Sequence, residues 1–253
     1  MSLQKELYDQ IFQRKSFHLY RDVGDTPITD EEIEDIENAY LSFKPLDESI
    51  KTKIVITKDD TTIKRGQEYV VLFYSEKKGN YLQNIGYLGE QLDLYLVKHN
   101  IGSLWCGMAK TSMKERGGMT YIISMCLRKV DDLSQFRKDM FSSKRKDLKE
   151  TWHSDKLLEE ANIARFAPSA CNSQPWDMKE ENGDFVLTRV SKKIGLMTPS
   201  KAIYFNSIDI GIYMCIFELV LEHNNIEFTK TLVEDNNPKV LVAENARYKI
   251  KLC

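Results

Sequence analysis

Glycine and proline are scarce in this chain, at 12 and 6 of 253 residues, about 7 % together against a usual ~12 %. That scarcity excludes a collagen-like repeat and long flexible linkers, and with 42 % hydrophobic and 10 % aromatic residues it excludes wholesale disorder. Neither sign of charge is in excess: 36 Lys and Arg against 38 Asp and Glu leave a net charge of −2, so no nucleic-acid partner is expected. Long apolar runs are also missing. The longest, residues 210–217 and 119–127, fall short of the ~20 residues a membrane span needs, and no membrane partner is expected. The chain enters charged residues at Lys5 and Glu6 without an apolar leader, which predicts a cytoplasmic protein. Its five cysteines, Cys106, Cys126, Cys171, Cys215 and Cys253, are odd in number and never form Cys-x-x-Cys, and its four histidines lack ligand spacing with them. Reduced thiols and no metal follow.

What is present is a series of short periodic segments. Leu7, Tyr8, Ile11 and Phe12 predict a short helix running into a basic arm, Arg14-Lys15-Ser16. Thr29-Asp30-Glu31-Glu32 is a capping box opening a helix whose apolar stripe includes Ile33, Ile36 and Tyr40, with Pro45 beyond its end. Residues 53–57 and 69–74 read as strands, the second central because it is apolar throughout. Residues 80–100 read as a buried helix stopped at Gly102, and 121–127 as a strand. The charged stretch 131–150 reads as a solvated, partly helical connector. Then the order begins again: a helix capped by Asp155 and ending at Pro168, a strand over 185–190, and an apolar helix over 210–225.

The two long helices align without gaps. Ile85-Gly86 falls on Ile210-Gly211 and Ile101 on Ile226, an offset of 125, at which Ile33, Ile36 and Ala39 also fall on Leu158, Ala161 and Ala164. Any two amphipathic helices align passably, but matched order at one offset favours a duplication. It predicts two halves, 1–135 and 136–253, packed as one unit.

The most specific string is Ala164-Arg165-Phe166-Ala167-Pro168-Ser169-Ala170-Cys171-Asn172-Ser173-Gln174-Pro175-Trp176. It combines a helix stop, small residues that let a flat ligand approach the backbone, and amides suited to a heteroaromatic edge. Here the sequence resembles the flavin-dependent nitroreductase family, whose helix-end signature Ala-Pro-Ser-x-x-Asn-x-Gln-Pro-Trp it matches at every fixed position. Ile11-Phe12-Gln13-Arg14-Lys15-Ser16-Phe17-His18 resembles that family's N-terminal basic arm. Ile85-Gly86 with Gly102-Ser103-Leu104-Trp105-Cys106-Gly107 resembles its central helix and the loop after it. The resemblance implies an α+β fold, a central mostly antiparallel sheet flanked by helices. It also implies an FMN at a subunit interface, with one subunit's arm on the phosphate side and the other's Pro-Ser loop on the isoalloxazine.

This chain departs from that pattern in each half. The first has the arm but ends its helix in Phe43-Lys44-Pro45-Leu46-Asp47; the second has the loop but carries Ser142-Ser143-Lys144-Arg145-Lys146 in the arm's place. The expectation is a fused pseudo-dimer, monomeric or dimerising further, with one composite FMN site. Arg14, Lys15, Ser16 and His18 would meet Pro168, Ser169, Ala170 and Asn172 there, and Trp105, Cys106 and Gly107 would lie over the flavin. An imidazole, mostly neutral at pH 7, grips phosphate less well than the family's arginine at the position of His18. The plain alternatives are a helix-end basic pair for Arg14 and Lys15, a tight turn for residues 105–107, core for Trp176, and small buried hydrophobes for Cys106 and Cys171. No acid–base or nucleophile constellation stands out, and the chemistry would belong to the flavin. The expected activity is ping-pong transfer from NAD(P)H, bound without a Rossmann motif, to a nitroaromatic, quinone or similar small acceptor. The alternative is a flavin- or small-molecule-binding protein with little turnover.

Overall fold

A computed structural model describes residues 5–58, 60–192, 198–235, 237 and 239–252; Cys253 and the first four residues lie outside them. The chain begins with a 3-10 turn, Lys5–Leu7, and a single helical turn α1 (Gln10–Gln13), in place of the continuous helix expected there. α2 (Asp30–Ser42) opens on the expected capping box: the Glu32 amide donates to Thr29 Oγ1 at 3.2 Å and the Thr29 amide to Glu32 Oε2 at 3.0 Å. There follow β1 (Thr52–Thr57), β2 (Tyr69–Ser75), α3 (Tyr81–Lys98), β3 (Ile101–Cys106), the two-residue β4 (Glu115–Arg116) and β5 (Met119–Lys129). The second series is β6 (Trp152–His153), α4 (Leu158–Ala164), β7 (Trp176–Glu181), β8 (Asp184–Val190), α5 (Pro199–His223), β9 (Phe228–Leu232) and β10 (Val242–Ile250).

The α+β class is as expected, with the strands divided between two five-stranded sheets. One runs β1-β2-β5-β3 with β4 on β5, the other β6-β7-β8-β10-β9. All pairings are antiparallel except β6 with β7. β2 is central and buried at all seven positions. With the short β4 and β6 set aside, β1, β2, β3 and β5 occupy the same places in one sheet as β7, β8, β9 and β10 in the other.

Several sequence expectations are corrected. Gly102 does not stop a helix. α3 ends at Lys98, the chain reverses through Asn100 at φ 58°, and Gly102 lies within β3, where a Cβ would come 2.8 Å from the Phe17 ring. A strand was unreadable there because the segment carries little β-branched sequence. Asp155 caps nothing, since α4 begins at Leu158 behind Leu157 at φ 54°, and the helix ends before Pro168. The stretch 131–150 is largely exposed and partly helical, as three 3-10 turns, but four of its cations, Arg137, Lys138, Lys144 and Arg145, line the site described below. α5 begins at Pro199, well before residue 210. It is long and apolar enough to span a bilayer by length and composition, which no contiguous apolar run revealed, but it is buried inside the fold.

α3 and α5 pack on each other, each also touching the sheet of its own half. Two glycines set their separation. A Cβ on Gly86 would lie 2.0 Å from the Ile208 carbonyl oxygen, and one on Gly211 1.9 Å from that of Gln83. The contacts are reciprocal: at the offset of 125, Gly86 corresponds to Gly211 and Gln83 to Ile208, as a two-fold relation requires. A second pair repeats the pattern. Asn84 Oδ1 accepts from the Leu46 and Asp47 amides (2.8 and 3.1 Å), and at the matching position Asp209 Oδ1 accepts from the Ala170 amide (3.0 Å).

Gly86→Ala or Gly211→Ala must push two helix backbones apart. Each is expected to cost about 3 kcal/mol, lowering Tm by roughly 10 °C in thermal unfolding. An unchanged Tm would mean that the crossing is not set by these glycines.

Candidate functional site

A mostly apolar cleft of about 320 Å³ opens between the halves, within the range of small-ligand sites. The first half contributes Ser16 and His18 from the arm behind α1, and residues 104–107 at the end of β3. The second contributes Pro168, Ser169 and Ala170 from the loop after α4, and Phe205, Ile208, Asp209 and Ile212 from α5. Trp105 is fixed by stacking on Phe73 (centroids 5.8 Å apart) and by its indole N–H on Asp93 Oδ2 at 3.2 Å. A Cβ on Gly107 would meet the Phe205 ring at 2.8 Å, so only glycine allows β3 to end against α5 there.

The cleft adjoins a wider basin of about 770 Å³ through shared walls at Ser16, His18, Pro168, Ser169 and Cys171. The basin brings Arg14, Lys15 and Asn172 together with four cations that sequence reading left as solvated: Arg137, Lys138, Lys144 and Arg145. Thus every predicted site residue lines either the cleft or the basin. Their roles differ from expectation in three cases. Arg14 is buried, its Nε donating to Asp93 Oδ2 at 2.8 Å and its Nη2 to Ser16 Oγ at 3.1 Å; burial opposes its charge, and Asp93 and Glu90 more than offset that. Lys15 Nζ donates to the Gln135 carbonyl at 2.7 Å and lies over the Phe17 ring. Asn172 uses its amide on the protein, donating to the Lys144 carbonyl (3.1 Å), while Gln174 Oε1 accepts from the Lys146 amide (2.8 Å). These amides staple the 144–146 segment to the helix-end loop instead of presenting themselves to a ring edge. Cys171, expected to be buried, is exposed and, with Asn172 and Gln174, holds a left-handed φ near 50°, a local strain of the kind that clusters at functional sites.

The basin is short of negative charge. Burial first, then repulsion from Arg14 and from each other or a neighbouring arginine, pushes Arg137 and Arg145 down to about 10. Arg145 Nε is buried without a hydrogen-bond partner. Such crowding is relieved by an anion. Behind the arm sit two buried acids that went unnoticed in sequence, Glu90 and Asp93, one helical turn apart on α3. Asp93 accepts from Arg14, Ser103 and Trp105, while burial and the Asp93 charge hold the Glu90 carboxyl well above the usual carboxylate range. The readable signal was their i, i+3 spacing inside an otherwise apolar helix.

At the positions 125 residues away lies a pocket of different character, about 680 Å³, with Lys44, Glu218, Glu222, Thr229 and Lys230 in its walls. Glu218 stands for Asp93 and Lys230 for Trp105; Lys230 Nζ donates to both Glu218 carboxylate oxygens (2.7 and 2.9 Å), joined by the Tyr87 and Tyr248 hydroxyls. An ion pair stands in that pocket's wall where the other site has an aromatic one.

Asp209 was also missed. It lines the cleft, and burial pushes its carboxyl up to about 7 from an ordinary 3.8, against hydrogen bonds from Ala170, Asn206 and Ser173. The native state therefore takes up a proton that the unfolded chain does not bind as pH falls from 7 toward 4. This group's contribution to stability is greatest below 4 and lost as pH rises through 7, where the charged form costs about 4 kcal/mol. Asp209→Asn, with the amide already used at Asn84, should be more stable than the parent at pH 8 and flatten that pH dependence in urea unfolding; an unchanged profile would contradict the assignment.

A family model described as "Putative TM nitroreductase" matches residues 6–221. A solved structure from Thermotoga maritima, described as a putative nitroreductase, superposes at TM-score 0.63 with 18 % identity, covering 98 % of this chain and 93 % of that one. Two further structures cover 60 % of this chain at 9 % identity. They are a putative NADH dehydrogenase/NAD(P)H nitroreductase from Parabacteroides distasonis, at TM-score 0.43 and 99 % of its own length, and a nitroreductase family protein from Clostridium difficile, at 0.45 and 98 %. No curated protein matches the sequence.

Proposed function

Because this chain belongs to the family described as "Putative TM nitroreductase", whose members are oxidoreductases of nitroreductase type, we propose that it is an FMN-dependent NAD(P)H oxidoreductase with one flavin site per chain. The observation that carries this reading is the apolar cleft opening directly onto a basin of converging guanidinium groups, one suited to a flat ring system and the other to its phosphate. The reading includes an internal duplication, with halves 1–135 and 136–253, which supplies the two-sided interface within a monomer. It also includes a cytoplasmic setting, with no nucleic-acid or membrane partner.

In this reading Arg137 and Arg145 hold the phosphate, with Lys138 and Lys144 adding charge. Arg14 keeps Ser16 in place through Asp93 and acts as a positioning residue. Pro168, Ser169 and Ala170 bound one side of the ring, held to α5 by Asp209, and Trp105, Cys106 and Gly107 bound the other. A bound FMN would supply two-electron redox chemistry between NAD(P)H and a nitroaromatic, quinone or similar small acceptor sharing the cleft. The chain's own part is to orient and to exclude water, as the apolar walls Leu104, Ile123 and Ile212 do.

The spending of Arg14 and Lys15 on protein partners favours a second reading, a flavin- or small-molecule-binding protein with little turnover. FMN titration should saturate at one equivalent per chain, and anaerobic NADH or NADPH should bleach it. Arg137→Ala should weaken FMN about tenfold, the loss of one charge-assisted hydrogen bond, and leave riboflavin, which lacks the phosphate, unaffected. Two equivalents or none would overturn the one-site reading, and binding without bleaching would select the second.

A further inference from the structure

The flavin reading uses Cys106 only as wall and gives no chemical part to its thiol or to the one beside it. Cys106 and Cys126 sit on adjacent antiparallel strands. Cys106 pairs with Ser124 and Leu104 with Cys126, which puts the two cysteines on the same face, diagonally opposed. Their sulfurs approach to 2.7 Å. Both belong to the apolar cluster behind the cleft, but Cys106 also lines the cleft, whereas Cys126 is wholly buried. The Tyr20 hydroxyl donates to the Cys126 carbonyl at 2.7 Å, holding that strand position in place.

We propose that Cys106 and Cys126 are a two-electron thiol couple in the wall of the cleft, in which Cys106 reacts with a small hydroperoxide and Cys126 closes the disulfide. The access is asymmetric in the sense this needs, because the thiol on the cleft is reached first and the buried one can meet only its neighbour. The two thiols share a close S–H···S contact in which either can donate, and the Arg65 charge on the same cleft favours thiolate at both. The nucleophile is thus the residue that the cleft reaches. A small uncharged oxidant fits, since Cys106 is only 5 % exposed in a mostly apolar wall.

In the first step the Cys106 thiolate attacks one peroxide oxygen, the O–O bond breaks, and Cys106 becomes a sulfenic acid as hydroxide leaves. In the second, the Cys126 sulfur attacks the Cys106 sulfur, the S–O bond breaks, and the sulfenic oxygen leaves as water with the thiol proton. Two thiols and one hydrogen peroxide give one disulfide and two waters, and an added dithiol returns the pair to the reduced state. The closed bond would ties β3 to β5 beside Trp105.

The test needs no flavin and so stands apart from the reading above. Reduced, flavin-free protein is treated with one equivalent of hydrogen peroxide, denatured in an alkylating agent and digested for mass spectrometry. The Cys171→Ser variant is run alongside because Cys171 is exposed. Alkylatable thiols should fall by two in both proteins, with a Cys106–Cys126 linked peptide that dithiothreitol abolishes. In Cys126→Ser, dimedone should label Cys106 as the trapped sulfenic acid. Should that variant fail to fold, the thiol count on the parent decides alone. Full alkylation of Cys106 and Cys126 after excess peroxide, or oxidation confined to Cys171, would overturn the proposal.

Discussion

Everything in this molecule is hung on a contact between two backbones. Where α3 crosses α5, each helix presents a glycine to a carbonyl of the other, and the missing Cβ atoms let the axes approach to a distance no other residue permits. Because the two contacts are related by the same offset, the crossing works as a dimer interface does, each half supplying what the other receives. It is buried, with Gln83, Asn84, Ser207 and Asp209 among otherwise mostly apolar neighbours, so the hydrophobic effect favours the crossing and backbone sterics fix its geometry. The sheets and the loops at their ends are carried by this pair.

The candidate cleft is a by-product of that geometry. The end of β3 and the basic arm arrive from one side and the helix-end loop from the other, at a height fixed by the helices. The equivalent position across the crossing receives Glu218 and Lys230 instead, and there the charges neutralise each other. At the retained site the charges do not cancel. Asp93 consumes Arg14, but Arg137 and Arg145 line one basin, and burial with the repulsion of neighbouring guanidinium groups lowers the basicity of both.

The sequence was legible where local chemistry decides structure. The capping box at Thr29 and Glu32, the central strand β2, both long helices and the helix-end string were all visible, and the eleven site residues drawn from the resemblance all line the cleft or the basin. What was hidden depends on tertiary context. β3 has a glycine where a strand prefers a branched residue, because Phe17 occupies the room of a side chain. The 137–145 cations looked solvated because a run of Lys and Arg has no periodicity to say that it folds back over a loop thirty residues away. Asn172 and Gln174 were read as ligand groups, yet the hydrogen bonds that fold the loop consume their amides. Asp209 and Glu90 were invisible because a single acid within an apolar helix can face water or core, and only packing decides which.

The basin has a consequence for how the chain assembles. Its walls come from residues 14–18, 137–145 and 168–172, three stretches far apart in sequence, so it does not exist until the chain has folded. An anion bound there therefore recognises only the finished fold. At a concentration a hundredfold above its dissociation constant it would deepen the native state by about 2.7 kcal/mol, a fair fraction of a typical domain's whole stability. In the proposed reading, the ligand that this cluster of repelling cations holds is a folding partner as well as a reagent.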